Sequence, residues 1–188
     1  MRRTCSRIRR WLTRFRRDQS GVSALEFALM TPLLLLLVFG LNEISRVLMV
    51  QRKVAHTASA VGDLVSQAST LTKSDISNVF DAGSAIIVPF SATPLKLRVT
   101  NITGDANGNP KVVWSRGSGL TALTAVPSDL PANLVTVAGE TVILSEAQYT
   151  YDSPLNFTAG TFKSIKGMAL NEKSYLRPRN LSVDCTDC

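Results

Sequence analysis

One apolar stretch decides the fold of this 188-residue chain: Gly21-Val-Ser-Ala-Leu-Glu-Phe-Ala-Leu-Met-Thr-Pro-Leu-Leu-Leu-Leu-Leu-Val-Phe-Gly-Leu41. From Val22 to Leu41 it contains a single charged side chain, Glu26. An α-helix rises about 1.5 Å per residue, so about 20 apolar residues cross a hydrocarbon layer of about 30 Å. The stretch therefore predicts a transmembrane helix over residues 22–42.

The residues before this stretch form a strongly basic leader. Residues 1–20 carry eight arginines and one aspartate, whereas the rest of the chain carries thirteen basic and thirteen acidic residues. Arg46, Arg52 and Lys53 flank the other end of the helix. Because the more basic flank of a membrane helix stays in the cytoplasm, the N-terminus is predicted to be cytoplasmic and the C-terminal part exported. The charge imbalance lies only in the leader, which argues against a nucleic-acid partner.

Two residues distinguish the apolar stretch from an ordinary membrane anchor. Glu26 places an ionisable side chain near one end of the helix, where a lone carboxylate is costly, so a functional role is the default interpretation. Gly21 stands where the basic leader meets the apolar run. Glycine lets the backbone enter a peptidase site in extended form without a side-chain clash. Gly21 is therefore a suitable residue for cleavage at the cytoplasmic face.

The same residues carry a family resemblance. Gly21 followed by Val-Ser-Ala-Leu and then Glu26-Phe27 resembles the cleavage motif of type IV pilins of the tight-adherence (Tad, or Flp) class. The continuation Pro32-Leu-Leu-Leu-Leu-Leu and the later domain are similar to TadE-like minor pseudopilins in particular. The resemblance implies that a prepilin peptidase cuts between Gly21 and Val22, leaving residues 1–21 as a leader. It also assigns Glu26, then the fifth residue of the mature chain, and Phe27 to subunit assembly.

The resemblance further implies a structural role in Tad/Flp pilus assembly and secretion. The expected partners are the membrane, the prepilin peptidase and other pilin or pseudopilin subunits. The expected location is the bacterial inner membrane, crossed once, with the C-terminal head periplasmic or extracellular. Major pilins of other type IV classes begin their mature chain with phenylalanine and a Thr-Leu-Ile-Glu run, which this chain does not have. The length also exceeds that of a major Flp subunit, so a minor component is expected.

Beyond Leu41 the helical pattern continues as a predicted amphipathic stalk over residues 43–71. Together with the membrane segment this makes one helix of about 50 residues. Its apolar stripe recurs at spacings of three and four, as expected for a packed face: Val47, Val50, Val54, Thr57, Val61, Leu64, Ala68 and Leu71. A juxtamembrane helix that packs on its own domain predicts the same stripe.

Residues 72–188 are predicted to form the exported head. A short helix is expected after Ser74, a suitable N-cap residue. The predicted strands are residues 95–100 and 111–115 as one hairpin, 134–137 and 141–151 as a second hairpin, and 173–179 as a final edge strand. The predicted fold class is therefore α+β: a long N-terminal transmembrane and stalk helix, then a small antiparallel-sheet head with short helices, as in pilins.

Three cysteines occur in the chain. Cys5 belongs to the leader, and Cys185 and Cys188 form a C-x-x-C pair on the predicted exported side. Zinc normally requires four ligands and His56 is the only histidine, so a small structural disulfide is favoured over a metal site or a redox centre. We expect no cofactor.

Three alternatives remain open from the sequence. The first is a conventional secretory signal, although the apolar core is long and Leu41-Asn-Glu-Ile-Ser-Arg46 is a poor cleavage site. The second is an unprocessed single-pass membrane protein with an exported binding domain of unknown ligand. The third is a catalytic exported domain; the sequence contains no nucleophile-elbow, dinucleotide-binding or phosphate-loop motif, so we expect no enzyme activity.

Overall fold

The computed structural model describes residues 21–154 and 166–188. Apart from Gly21, the predicted leader lies outside the described residues. The elements run in the order α1 (Val22–Gln67), β1 (Thr70–Leu71), α2 (Lys73–Ile86), β2 (Leu95–Gly104), β3 (Pro110–Ser118), β4 (Thr141–Tyr151), β5 (Met168–Leu176) and β6 (Asp184–Cys185). A long apolar helix followed by a short helix and an antiparallel sheet confirms the predicted α+β class. The chain divides into two compact units, the first ending at Ser45 and the second running from Arg46 to Cys188.

Helix α1 is 46 residues long and confirms the long helix predicted from the apolar run and the stripe behind it. Most of the predicted stripe is buried, including Val50, Val54 and Val61. Leu64 was wrongly placed in the stripe: its side chain is 44% exposed, and Val65 is buried instead. With 3.6 residues per turn, the step that keeps the same face after Val61 is four residues rather than three.

The main sheet has four strands in the order β3-β2-β4-β5, and every neighbouring pair is antiparallel. β2 and β3 form the predicted first hairpin. β5 is an edge strand as predicted, but it spans Met168–Leu176 and ends before Pro178. A second, two-stranded parallel sheet joins β1 to β6 near the C-terminus.

The two faces of the main sheet line two separate apolar clusters in the second unit. Alternate side chains of a strand point to opposite faces. Val99 and Ile143 therefore pack with α1 and α2 in the larger cluster, while Ile102 and Leu144 point the other way. The smaller cluster is closed by side chains of the segment between β3 and β4: Leu123, Val126, Leu130, Leu134 and Val135.

The predicted second hairpin is wrong. Residues 134–137 form no strand, because β4 already pairs with β2 on one side and with β5 on the other and has no free edge. Val135 is buried against the smaller cluster instead.

The predicted N-cap of α2 is also displaced. Thr72, not Ser74, is the N-cap, and its hydroxyl oxygen accepts from the Asp75 backbone N–H at 3.2 Å. The Asp75 carboxylate accepts from the Thr72 backbone N–H at 2.9 Å, which completes a capping box.

Candidate functional site

The predicted processing site lies at the first turn of α1. The helix begins at Val22, and the Leu25 backbone N–H donates to the Gly21 carbonyl at 3.0 Å. Gly21 is exposed, and a Cβ added to it would meet no atom of the described residues within 4 Å apart from its chain neighbours. The peptide bond between Gly21 and Val22 therefore lies at an open boundary, immediately before the regular helix.

Glu26 and Phe27, the predicted assembly residues, follow within the first two turns. Both side chains are exposed, Phe27 by 68%. The hydroxyl of Thr31, another polar side chain in this part of the helix, donates to the Phe27 carbonyl at 2.6 Å. Thr31 thus satisfies its hydrogen-bonding need within the helix, whereas the Glu26 carboxylate is presented at the surface.

The surface around these residues is almost entirely apolar. Between Val22 and Leu41 the exposed large side chains are Val22, Leu25, Phe27, Leu29, Met30, Leu33, Leu34, Leu35, Leu36, Leu37, Val38, Phe39 and Leu41. Contiguous apolar surface of this extent is not stable in water and indicates contact with lipid or with other apolar helices. Among the described residues α1 is long and apolar enough to cross a membrane, and the window that qualifies is not buried in the protein. These features support single-pass membrane anchoring.

Comparison with known families matches residues 21–63 to the TadE-like protein family. These residues are similar to that family. The match begins at Gly21 and ends within α1, so it confirms the resemblance drawn from the Gly21–Phe27 motif and the apolar run that follows. Neither the curated proteins nor the solved structures contain a significant match to the chain.

Beyond the TadE-like segment, the second unit contains an ionic network on the face of the sheet that the β3–β4 segment covers. Glu146 on β4 is 3% exposed and accepts from Arg98 Nε on β2 at 2.6 Å. On its other side Lys173 Nζ of β5 lies 3.4 Å from Glu146 Oε1 and 2.5 Å from Asp129 Oδ2. Arg98 also donates to the Thr121 carbonyl at 2.8 Å. The network joins three strands to the covering segment.

Two members of this network, Asp129 and Lys173, have shifted pKa values. The hydrogen bond from Lys173 holds the pKa of Asp129 below its ordinary value. Burial by itself would lower the pKa of Lys173, but the hydrogen bond to Asp129 and the negative charge of Glu146 outweigh it, so the Lys173 pKa is raised. Both shifts favour the charged forms. The network therefore joins the three strands to the β3–β4 segment through charged side chains.

A further cluster forms where residues 177–188, here called the C-terminal strap, cross the junction between α1 and α2. The buried Val183 carbonyl accepts from Asn101 Nδ2 at 2.7 Å and from the indole Nε1 of Trp114 at 2.8 Å. The Arg179 backbone N–H donates to the Ser66 carbonyl at 2.9 Å.

The last residues of the strap extend these contacts to the start of α2. Asp184 and Cys185 pair with Thr70 and Leu71 as β6 and β1. The Lys73 backbone N–H donates to Asp187 Oδ1 at 2.7 Å. A carboxylate at this position satisfies a free N–H of the first helical turn and complements the positive end of the helix dipole.

Cys185 and Cys188 are bonded to each other as a disulfide in the strap. Asp187 lies beside them, but sulfurs that are bonded to each other are not metal ligands. The structure thus brings the two predicted cysteines together, and separately it brings Gly21, Val22, Glu26 and Phe27 together at the start of α1.

Sequence reasoning did not find the ionic network or the role of Asp187. Arg98 and Glu146 are 48 positions apart, and Lys73 and Asp187 are 114 apart, so no local spacing marks either pair. The sequence pattern indicates which face of its own strand each of Arg98 and Glu146 occupies. It does not indicate that β2 pairs with β4, which is what brings the two side chains together.

Proposed function

We propose that this chain is a pilin-like structural component of Tad/Flp pilus assembly and secretion, matured by a prepilin peptidase that cuts after Gly21. The basic leader holds the N-terminus in the cytoplasm, α1 anchors the chain in the inner membrane and continues as the stalk, and residues 72–188 form the exported head. The role is structural rather than catalytic. The observation that carries the proposal is the TadE-like segment, which begins at Gly21 and leads into an unburied apolar run, Val22–Leu41, with one carboxylate, Glu26.

Cleavage would create a new charge where the helix begins. The freed α-ammonium of Val22 stands at the first residue of α1, and Glu26 lies four residues, about one turn, further along. In an apolar bundle either charge alone costs several kcal/mol, so each one requires an oppositely charged partner. Pairing the Val22 ammonium with Glu26 of a neighbouring subunit satisfies both charges and selects one axial register between the helices.

Intact-mass spectrometry of the full chain, extracted from membranes that contain an active Tad prepilin peptidase, tests the cleavage. We expect a mature chain that begins at Val22. Gly21→Val should block processing, because a branched side chain would then have to enter the peptidase site. Gly40→Val is the matched control, because at both glycines an added Cβ meets no atom of the described residues within 4 Å apart from the adjacent backbone. A wild-type chain that keeps its leader would exclude this maturation.

Substitution of the carboxylate tests the assembly step separately. Glu26→Ala should abolish pilus assembly while membrane insertion and the amount of protein are unchanged. Glu43→Ala, which removes a carboxylate from the same helix outside the apolar run, is the control and should assemble. If Glu26→Ala assembles normally, the chain is better described by the alternative of an unprocessed single-pass protein with an exported binding domain.

A further inference from the structure

The C-terminal strap closes one end of the larger apolar cluster. Val183 is fully buried, and it lies in the same cluster as Leu71 and Trp114, which are 6% and 7% exposed. The strap therefore covers apolar surface that the sheet and the two helices leave uncovered at the junction of α1 and α2.

Among the described residues, the disulfide, backbone hydrogen bonds and side-chain contacts of Asp187 and the partly buried Cys185 hold the terminal part of the strap. The Asp184 N–H donates to the Ser69 carbonyl at 3.0 Å, and the Thr186 N–H donates to the Leu71 carbonyl at 3.1 Å. The disulfide closes a short ring around Thr186 and Asp187, the two residues that contact β1 and the first N–H of α2. Without that ring these residues regain backbone freedom, and a two-residue strand pair does not offset the entropy of ordering them.

We propose that the C-terminal strap is a redox-controlled latch. When Cys185 and Cys188 are bonded, Asp187 is seated on the N-terminus of α2 and β6 is paired with β1. When they are dithiols, residues 184–188 leave the junction and expose the cluster beside Leu71, while the four-stranded sheet remains folded. The latch is independent of cleavage after Gly21, but the time at which it closes rests on the proposed export of the head.

The redox step is a thiol–disulfide exchange with a disulfide-carrying oxidant. One cysteine thiolate attacks the oxidant's disulfide and forms a mixed disulfide, and the second thiolate displaces the oxidant's remaining sulfur. Two electrons and two protons pass from Cys185 and Cys188 to the oxidant, which leaves as a dithiol. Because the cytoplasm keeps thiols reduced, the latch stays open until the head has been exported.

Hydrogen exchange of the full chain in detergent, with and without a phosphine reductant and with a chelator present, tests the latch. Reduction should accelerate exchange of the Lys73, Asp184 and Thr186 amides about tenfold or more and leave the amides of β2 and β4 unchanged. In a Trp11→Phe background, acrylamide should quench Trp114 more strongly after reduction.

Two cysteine variants test whether the change in amide exchange on reduction comes from the Cys185–Cys188 disulfide. Cys5→Ser should respond to reductant as the wild type does, and Cys188→Ser should exchange as the reduced protein does whether or not reductant is present. Unchanged exchange at Asp184 and Thr186 after reduction would show that hydrogen bonds alone hold the strap. Loss of protection throughout the sheet would show that the disulfide maintains the whole fold. Either result would overturn the latch.

Discussion

Glu146→Gln removes the central charge of the ionic network while keeping the size and shape of the side chain nearly unchanged. Glu146 is 3% exposed, and it accepts from Arg98 Nε at 2.6 Å. The Arg98 side chain is itself only 13% exposed, so the substitution leaves a nearly buried guanidinium without its counter-charge. Breaking a buried pair in this way costs about 3–5 kcal/mol. Because the glutamine amide oxygen still accepts a hydrogen bond, we expect the lower end, about 3 kcal/mol, or roughly 10 °C in the unfolding temperature.

Urea unfolding of the full chain in detergent, followed by Trp114 fluorescence in a Trp11→Phe background, measures this loss. Asp129→Asn is the matched control in the same network. Its side chain is 56% exposed, and exposed pairs contribute about 0–1 kcal/mol, so the control should be almost as stable as the wild type.

A double variant separates charge from packing. Arg98→Met combined with Glu146→Leu removes both charges and should be more stable than Glu146→Gln alone, because no uncompensated charge stays buried. A loss below about 1 kcal/mol for Glu146→Gln, or equal losses for Glu146→Gln and Asp129→Asn, would refute the reasoning.

Three further predictions concern the second unit. Thr72→Ala should lower the free energy of unfolding by about 1 kcal/mol through loss of the N-cap, whereas Ser74→Ala should change it by less than about 0.5 kcal/mol, as urea titration would show. Gly83→Val should lower it by about 2–3 kcal/mol, because a Cβ there would lie 2.7 Å from the nearest side-chain carbon; a neutral result in the same titration would contradict the packing. The lowered pKa of Asp129 contributes stability that is present above the ordinary carboxyl pKa and lost as pH falls through the lowered value. The raised pKa of Lys173 contributes stability that is complete below the ordinary lysine pKa and lost as pH rises through the raised value. Thermal unfolding by circular dichroism should therefore show a decline below about pH 4 and above about pH 10.5, and Asp129→Asn should reduce both declines.

The pattern of neighbouring residues was sufficient to predict the apolar helix and strand β2. The run from Val22 to Leu41 specifies a helix of membrane-spanning length whatever surrounds it, because its apolar side chains and helical spacing are properties of the segment itself. The alternation from Leu95 to Thr100 likewise predicted β2, since apolar and polar residues alternate there with a period of two.

Local patterns were insufficient where two segments compete for one partner. Residues 134–137 have the composition of a strand, yet both edges of β4 are occupied, so these residues pack as a covering segment. The N-cap of α2 is the residue whose hydroxyl pairs with a carboxylate three residues later in a capping box. Asp75 lies three residues after Thr72, whereas the residue three positions after Ser74 is Ser77, which has no carboxylate.

The sequence by itself determined the membrane helix, its TadE-like start at Gly21 and Glu26, and the order of helix before sheet, because each of these follows from neighbouring residues. Tertiary structure alone decided the ionic network around Glu146 and the seating of Asp187 on α2. Those contacts join residues that are far apart in the chain, and they form only when strand pairing and helix packing bring their backbones together.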